Sequence, residues 1–264
     1  MWTPLRALAL LPLCLASPAA AENPPANLVT AELIGGWPIE GGTMGALKLT
    51  LAPGWKTYWR SPGEAGIPPA FDWRASAGLT GVTYHWPRPA PFDLNGIRTF
   101  VYHDTLILPI AFQGDVRSLS ATVDLGVCRD ICVPAHLTVT GDLSSARSGT
   151  AAIRAALRAE PDDARGAGYG AARCATEPTR DGLRLTADIP APEGLSPDAF
   201  AVIETGDPAV WVAPVKTDSG GGRLHQIVDL VPPTAQPFAL DRSAVHFTIF
   251  DGAGGVHQLD GCTG

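Results

Sequence analysis

The sequence predicts an all-β protein in which a short helix joins two sandwich domains. Short runs of alternating apolar and polar residues fill residues 31–141 and return from Leu183 onward. Glycine and proline, which number 29 and 25, separate these runs as turns separate antiparallel strands. One stretch with helical spacing lies between the two sets of runs.

Residues 1–21 have the features of a secretory signal peptide. Arg6 supplies a positive charge, residues 7–16 form a short apolar run, and Ala19 and Ala21 form a small-residue cleavage site. Cleavage would change the formal net charge from −7 to −8 by removing Arg6. Such an acidic chain has no electrostatic reason to bind nucleic acid or an anionic membrane. Since no later segment is long and apolar enough to cross a bilayer, we expect a periplasmic protein without a membrane span in its mature form.

Residues 22–145 are predicted to form the first domain. Its candidate strands keep a period of two, as at Leu47, Leu49 and Leu51, so that one face is buried and the other is wet. Several such strands with turns between them are typical of an immunoglobulin-like sandwich. The candidate strands are Ala46–Leu51, Lys56–Arg60, Leu79–Trp86, Arg98–Tyr102, Thr105–Phe112, Ser120–Gly126 and His136–Thr140.

Residues 146–172 are predicted to be a helical linker followed by a mobile loop. Apolar residues recur at helical spacing within Ser148–Glu160, and Pro161 ends the run. Strand patterns then return, so residues 173–264 are predicted to form a second, smaller β-sandwich. Its candidate strands are Leu183–Ile189, Ala199–Glu204, Val210–Val212, His225–Val231, Val245–Phe250 and Val256–Leu259.

Of the five cysteines, Cys14 leaves with the signal peptide. The remaining four are an even number in an oxidising compartment, which favours disulfides. Three pairings are possible, and proximity in sequence favours Cys128 with Cys132 and Cys174 with Cys262. The second bond would join the two ends of the second domain, and we predict that it is structural.

The Cys128–Cys132 bond would contribute little as a cross-link. The chain-entropy treatment gives so short a loop about 2 kcal/mol, against about 4–5 kcal/mol for Cys174–Cys262. Disulfides across tight turns tend to be strained or exposed, and such bonds exchange readily with thiols. The spacing therefore favours reactivity, although a structural hairpin disulfide remains a second interpretation.

A metal site is a third interpretation of this pair. His103 or His136 could join the two cysteines around copper or zinc. However, the spacing differs from the usual C-x2-C, and no second thiol pair lies nearby. We assign no metal ligand.

Four groups of residues that occur in order along the chain strengthen the reactive interpretation. They are Gly54–Gly63 (GWKTYWRSPG), Gly66–Pro69 (GIPP), His85–Pro87 (HWP) and Cys128–Pro134 (CRDICVP). Over about residues 30–140 this series resembles the N-terminal periplasmic domain of the DsbD thiol:disulfide interchange family, in its ScsB-like branch. The second domain is similar to the continuation found in that branch, without a matching motif.

The resemblance implies an immunoglobulin-like domain in which Cys128 and Cys132 cycle between dithiol and disulfide. No cofactor is implied, because the sulfur atoms carry the electrons. In that family the domain receives electrons from a thioredoxin-like domain fed by a membrane thiol reductase. It passes them to oxidised periplasmic disulfide proteins.

The resemblance also implies an aromatic cap over the cysteine pair. We expect Asn95–Tyr102 to form it, with Phe100 and Tyr102 as lids on a shared face and Tyr58 lining the site. Ordinary core packing is the alternative for both aromatic lids. Because neighbours along a strand point to opposite faces, Tyr58 and Trp59 should not both face the site.

We therefore expect a periplasmic thiol–disulfide exchange module. If it is an enzyme, it is a protein-disulfide reductase component that needs a separate electron donor, since we recognise no membrane electron-delivery segment or thioredoxin-like domain in the sequence. The alternatives are a non-enzymatic β-sandwich binding protein with purely structural disulfides and a copper-handling protein. Hydrolase chemistry has no support, because the sequence contains no G-x-S-x-G, no H-E-x-x-H and no glycine-rich phosphate loop.

Overall fold

The structure is a computed structural model that describes residues 27–116, 118–143 and 149–264. The predicted signal peptide and Ser148, the first residue of the predicted helix, lie outside the described residues. Within the described part of the chain, no helix is long and apolar enough to span a bilayer.

The first sandwich is built from two antiparallel sheets. Sheet I has the strand order β1-β2-β8-β5, and sheet II has the order β10-β9-β3-β7-β6, with β4 paired to β9. The strands are β1 (Val29–Ile39), β2 (Gly42–Leu51), β3 (Lys56–Gly63), β4 (Ala70–Asp72), β5 (Leu79–Tyr84), β6 (Ala90–Leu94), β7 (Ile97–His103), β8 (Thr105–Gly114), β9 (Leu119–Cys128) and β10 (Cys132–Gly141).

The core of the first sandwich lies between sheets I and II. Leu47 and Leu49 from β2 meet Leu108 and Phe112 from β8 in one cluster, together with Trp59 from β3. All five are at most 2% exposed. The predicted period of two is confirmed at these positions.

Sheet I is also covered on the face that the sequence pattern left open to water. The helix α1 (Thr150–Leu157) places Ile153 in a cluster with Met44, Ala46 and Ala111. These residues alternate with the core positions of β2 and β8, so they line the opposite face. The expectation of a wet outer face is therefore wrong here, because a helix packs against the sheet instead of simply bridging the two domains.

The second sandwich follows helix α1 along the chain and is also built from two sheets. Sheet III has the strand order β11-β18-β17-β14, and sheet IV has the order β15-β16-β13-β12-β19. A short 3-10 turn spans Arg242–Ala244. The strands are β11 (Asp162–Asp163), β12 (Ala172–Pro178), β13 (Leu183–Pro190), β14 (Phe200–Glu204), β15 (Trp211–Gly220), β16 (Arg223–Val231), β17 (His246–Phe250), β18 (Val256–Asp260) and β19 (Cys262–Thr263).

The predicted mobile loop after the helix belongs to this second fold. Ala164 and Tyr169 are buried in its core, and β11 pairs in parallel with β18. The sequence of this segment predicts a loop because its alanine and glycine residues show neither helical nor strand periodicity. Two all-β immunoglobulin-like sandwiches and one connecting helix are the architecture that the sequence predicts.

Among the described residues, the two sandwiches meet through aromatic rings and through ion pairs that include Arg60–Glu204 and Arg88–Asp162. Phe100 of the first sandwich stacks on Phe250 of the second at 5.3 Å between ring centroids, and Phe200 stacks on Phe250 at 4.8 Å. Beside these rings, Arg60 donates two hydrogen bonds of 2.9 Å to the carboxylate of Glu204. These contacts place the part of the first sandwich that carries Phe100 against the second sandwich.

The two disulfides should contribute unequally to stability. Cys174–Cys262 joins residues 88 apart in sequence, whereas Cys128–Cys132 joins residues 4 apart. The chain-entropy treatment predicts losses of about 4–5 and about 2 kcal/mol. In urea titrations, Cys174→Ala/Cys262→Ala should therefore lower the free energy of unfolding about twice as much as Cys128→Ala/Cys132→Ala. Equal losses would contradict a structural role for the longer bond.

Candidate functional site

Cys128 and Cys132 lie at the end of a hairpin in sheet II. Cys128 is the last residue of β9, Cys132 is the first residue of β10, and the two are opposite each other in the antiparallel register. A hydrogen bond of 3.1 Å from the Arg129 amide to the Ile131 carbonyl closes the turn between them. The disulfide joins the two strands at this point.

The two sulfur-bearing residues differ in their exposure to solvent. Cys128 is only 2% exposed, whereas Cys132 is exposed. The neighbouring Ile131 side chain is 69% exposed. Cys132 is therefore open to solvent at the turn, while Cys128 is covered by the sheet.

The face of sheet II that points away from the core surrounds Cys128; we call it the site face. Cys128 is the register partner of Lys56 on β3, so both side chains lie on this face. Tyr58, two residues further along β3, also lies there and forms a small buried cluster with Cys128 and Val101 of β7. Phe92 of β6 packs against that cluster.

Tyr58 contacts both sulfur atoms of the disulfide. Its hydroxyl oxygen lies 2.9 Å from the Sγ of Cys128 and 3.2 Å from the Sγ of Cys132. A disulfide sulfur has no hydrogen, so the Tyr58 hydroxyl is the donor. Burial raises the pKa of Tyr58 above its ordinary value, and the hydroxyl therefore keeps its proton at neutral pH.

Two glycines make room for the ring of Tyr58. A Cβ atom at Gly126 would lie 2.8 Å from the Cβ of Ile67 and 3.2 Å from the Tyr58 ring. A Cβ atom at Gly66 would lie 2.8 Å from the same ring and 2.3 Å from the Cβ of Pro62. The Gly66–Pro69 segment thus lies over Tyr58, and the close approach of the ring leaves no room for a side chain at Gly66.

Lys56 is a site residue that the sequence reasoning missed. Its side chain is 7% exposed, and its Nζ lies 3.3 Å from the carbonyl oxygen of Arg129, inside the cysteine turn. The same ammonium lies 4.3 Å from the centre of the Phe92 ring. Burial lowers the pKa of Lys56, and the nearby Asp130 charge opposes this shift. The available signal was its position two residues before Tyr58, which places both on one face.

The expected aromatic lids lie elsewhere. Phe100 and Tyr102 share a face of β7, as predicted, but that face is the sandwich core. Tyr102 stacks on Trp86 and donates a hydrogen bond of 2.6 Å to the Pro87 carbonyl. Phe100 packs on Trp59 and on the second sandwich. Their assignment as a cap over the cysteines is therefore wrong, because the intervening residue of β7, not they, faces the site.

The predicted opposition of Tyr58 and Trp59 is confirmed. Tyr58 reaches the sulfurs, while Trp59 is fully buried in the core. The Asn95–Tyr102 segment forms the turn and second strand of the β6–β7 hairpin. The aromatic ring that this hairpin brings to the site is Phe92 of β6.

The histidines considered for a metal site have other neighbours. His136 lies 2.5 Å from the carboxylate of Asp124, and His103 packs edge-on against Phe92. Across the described residues, no three His, Cys, Asp or Glu side chains gather in a group that could hold a metal ion.

Comparison with known proteins now assigns the first sandwich. Residues 37–142 match the family model described as thiol:disulfide interchange protein DsbD, N-terminal. The first sandwich is a DsbD N-terminal-like domain. This confirms the family resemblance expected from the sequence.

Solved structures extend the likeness beyond this domain. The N-terminal periplasmic domain of ScsB from Proteus mirabilis matches with a TM-score of 0.66 and 23% sequence identity, covering 89% of this chain and 92% of that chain. At this identity the match establishes the ScsB-like fold alone. The reduced DsbD N-terminal domain from Neisseria meningitidis covers 46% of this chain and 91% of that chain at 14% identity, and its TM-score of 0.29 supports no argument. No curated protein is significantly similar to the chain in sequence.

The close packing around Tyr58 should make Gly126 intolerant of a side chain. Gly126→Ala forces Ile67 or Tyr58 to move, and overpacking of this kind typically destabilises by about 1–3 kcal/mol. Gly81→Ala is the matched control, since its added Cβ would lie 3.9 Å from the nearest contact. Urea titration should show a loss of stability for Gly126→Ala and little change for Gly81→Ala. Equal stabilities would show that the loop over Tyr58 adapts freely.

Proposed function

We propose that this chain is a periplasmic thiol–disulfide exchange module that carries reducing equivalents through Cys128 and Cys132. The observation that supports this most directly is the asymmetry of the disulfide. One sulfur-bearing residue is exposed at a hairpin turn, and the other is buried beside the hydroxyl of Tyr58. The DsbD N-terminal-like fold of the same domain agrees with such chemistry.

The reduction of the module follows from this geometry. A thiolate of the electron donor attacks the Sγ of Cys132, forms a mixed disulfide and breaks the Cys128–Cys132 bond. The electron pair of that bond goes to the Sγ of Cys128, which leaves as a thiolate and accepts a hydrogen bond from Tyr58. A second thiol of the donor then resolves the mixed disulfide. Two electrons have moved, and the donor carries the new disulfide.

The delivery of electrons reverses these steps on an acceptor. The thiolate of Cys132 attacks the disulfide of an oxidised periplasmic protein, and the thiolate of Cys128 resolves the mixed disulfide. We propose a membrane thiol reductase or a thioredoxin-like periplasmic domain as the donor. The module needs no cofactor, because only sulfur atoms exchange electrons.

A trapping experiment tests this proposal. The Cys128→Ala variant keeps the exposed thiol and should form a mixed disulfide with a thioredoxin-like domain whose single remaining cysteine has been activated with dithionitrobenzoate. The Cys132→Ala variant keeps only the buried thiol and is the matched comparison. We expect the Cys128→Ala variant to react at least about tenfold faster, because reaction rates depend on access to the sulfur. Gel electrophoresis without reductant measures the product.

Two results would contradict exchange through this pair. One is the absence of a mixed disulfide with either variant. The other is a Cys128–Cys132 bond that resists reduction by dithiothreitol as strongly as Cys174–Cys262 does in the unmodified chain. Either result would favour a binding protein in which both disulfides are structural.

A further inference from the structure

We propose that Lys56 is a positioning residue whose buried ammonium stabilises the thiolate formed on Cys128 when the disulfide opens. This inference rests on the proposed exchange function and assigns a role to a residue outside the cysteine motif. It is carried by three features of the structure: the register of β3 with β9, the burial of the lysine, and the lack of a close ion-pair partner for it among the described residues.

The register places Lys56 beside Cys128. The two residues are direct partners in the antiparallel pairing of β3 with β9. Cβ atoms of such partners lie about 4.5–5.5 Å apart, and their side chains point to the same face. The Nζ of Lys56 then reaches the carbonyl of Arg129, the residue that follows Cys128. The ammonium therefore lies over the first residue of the cysteine turn.

The burial of Lys56 is unusual for a lysine. Only 7% of the residue is exposed, and a buried ammonium is costly unless it is paired. Within the described residues Lys56 forms no ion pair of 4.0 Å or less. Its partners are the Arg129 carbonyl and the face of the Phe92 ring, which offer only partial negative charge. The Asp130 carboxylate acts on Lys56 from more than 4.0 Å away, so an anion on the neighbouring sulfur would give the ammonium a full charge partner at closer range.

The other charged groups on the neighbouring elements are exposed, so Lys56 is the buried charged residue beside Cys128. Arg129 and Asp130 of the turn pair with each other at 2.9 Å and are exposed, so Arg129 and the solvent weaken the effect of the Asp130 charge on Lys56. His103 of β7 is the other register partner of Lys56, and it is exposed. Tyr58 of β3 keeps its proton.

A more distant pair on the same hairpin is already matched. Asp124 of β9 and His136 of β10 are register partners and lie 2.5 Å apart. They are four residues along their strands from Cys128 and Cys132, or about 13 Å at the usual strand rise. Phe92 is the neighbour that β6 contributes, and it carries no charge.

The Lys56 ammonium acts in the step that breaks the Cys128–Cys132 bond. When a partner thiolate bonds to the Sγ of Cys132, the electron pair of the broken bond goes to the Sγ of Cys128. Lys56 keeps its proton and faces the new anion from β3, while Tyr58 donates its hydroxyl hydrogen. A nearby opposite charge favours the ionised form of an acid, by about 1–3 pKa units for a carboxyl, and a thiol responds in the same direction. Cys128 thus becomes a better leaving group.

The first test measures the pKa of the Cys128 thiol. In the full chain with Cys132→Ala, Cys128 is a free thiol while Cys174–Cys262 stays closed, and thiolate absorbance at 240 nm reports its titration. The double variant Cys128→Ala/Cys132→Ala lacks both thiols, so its absorbance gives the background from the tyrosinates. Adding Lys56→Met should raise the pKa of Cys128 by at least about one unit. Lys48→Met, which removes an exposed strand lysine paired with Glu32, is the matched control and should leave this pKa unchanged.

The outcome that overturns the inference is an equal pKa of Cys128 with and without Lys56. In that case Lys56 only anchors the turn through the Arg129 carbonyl. The measurement requires no redox partner, so it can succeed when the exchange proposal fails and fail when that proposal succeeds.

A second measurement leaves Lys56 in place, should Lys56→Met not fold. The pKa of the Lys56 ammonium is followed by NMR through its Cε signal, in Cys132→Ala and in Cys128→Ala/Cys132→Ala. Coupling between two charges is reciprocal, so the Lys56 pKa should be about one unit higher when the Cys128 thiolate is present. Equal values in the two variants would falsify the inference.

Discussion

The register between β3 and β9 determines both the core of the first sandwich and the chemistry on its outer face. Lys56 and Thr57 pair with Cys128 and Val127, and the Thr57 hydroxyl donates a hydrogen bond of 2.9 Å to the Gly126 carbonyl inside the protein. Since strand side chains alternate, a shift by one residue would exchange the two faces of β3. Such a shift would turn the core side chains of β3 to the outer face, so burial of these side chains in the core stabilises the observed register.

The two cysteines of the disulfide that this register presents differ in their surroundings. Cys132 lies at the exposed end of β10, whereas Cys128 is covered by sheet II and contacted by Tyr58. In the proposed mechanism, attack and departure therefore occur at different sulfurs. Cys132 is exposed and Cys128 is buried beside its register partner Lys56, while the Tyr58 hydroxyl contacts both sulfur atoms. A hairpin disulfide with two equally exposed sulfurs would not favour one direction of cleavage.

The contact between the sandwiches gives a second reason for the position of the aromatic residues. Phe100 lies in a stack with Phe200 and Phe250, and Arg60 pairs with Glu204 beside it. Aromatic pairs in such stacks add about 0.5–1.5 kcal/mol beyond the area they bury. Phe100 therefore serves the joint between the sandwiches, and β7 leaves Val101 to face the cysteine pair.

Much of this arrangement was accessible from the sequence because it depends on local pattern. Period-two alternation predicted most of the long strands of both sandwiches, and the spacing of apolar residues predicted α1. Alternation did not predict β1, β4, β6, β11, β12 or β19. The positions of the cysteines suggested the two bonds that the structure contains. Alternation also predicted that Tyr58 and Trp59 separate, with Phe100 and Tyr102 on one face.

What the sequence by itself determined is which side chains share a face; the tertiary structure decided which face each set occupies. Alternation treats the two faces of a strand alike, so the lids assigned to Phe100 and Tyr102 were placed on the wrong one. Trp86 and Phe250, distant in sequence, cover that face and make it core. The place of Lys56 beside Cys128 has the same origin. A register between strands 72 residues apart is fixed by packing across the sheet, and no local pattern records it.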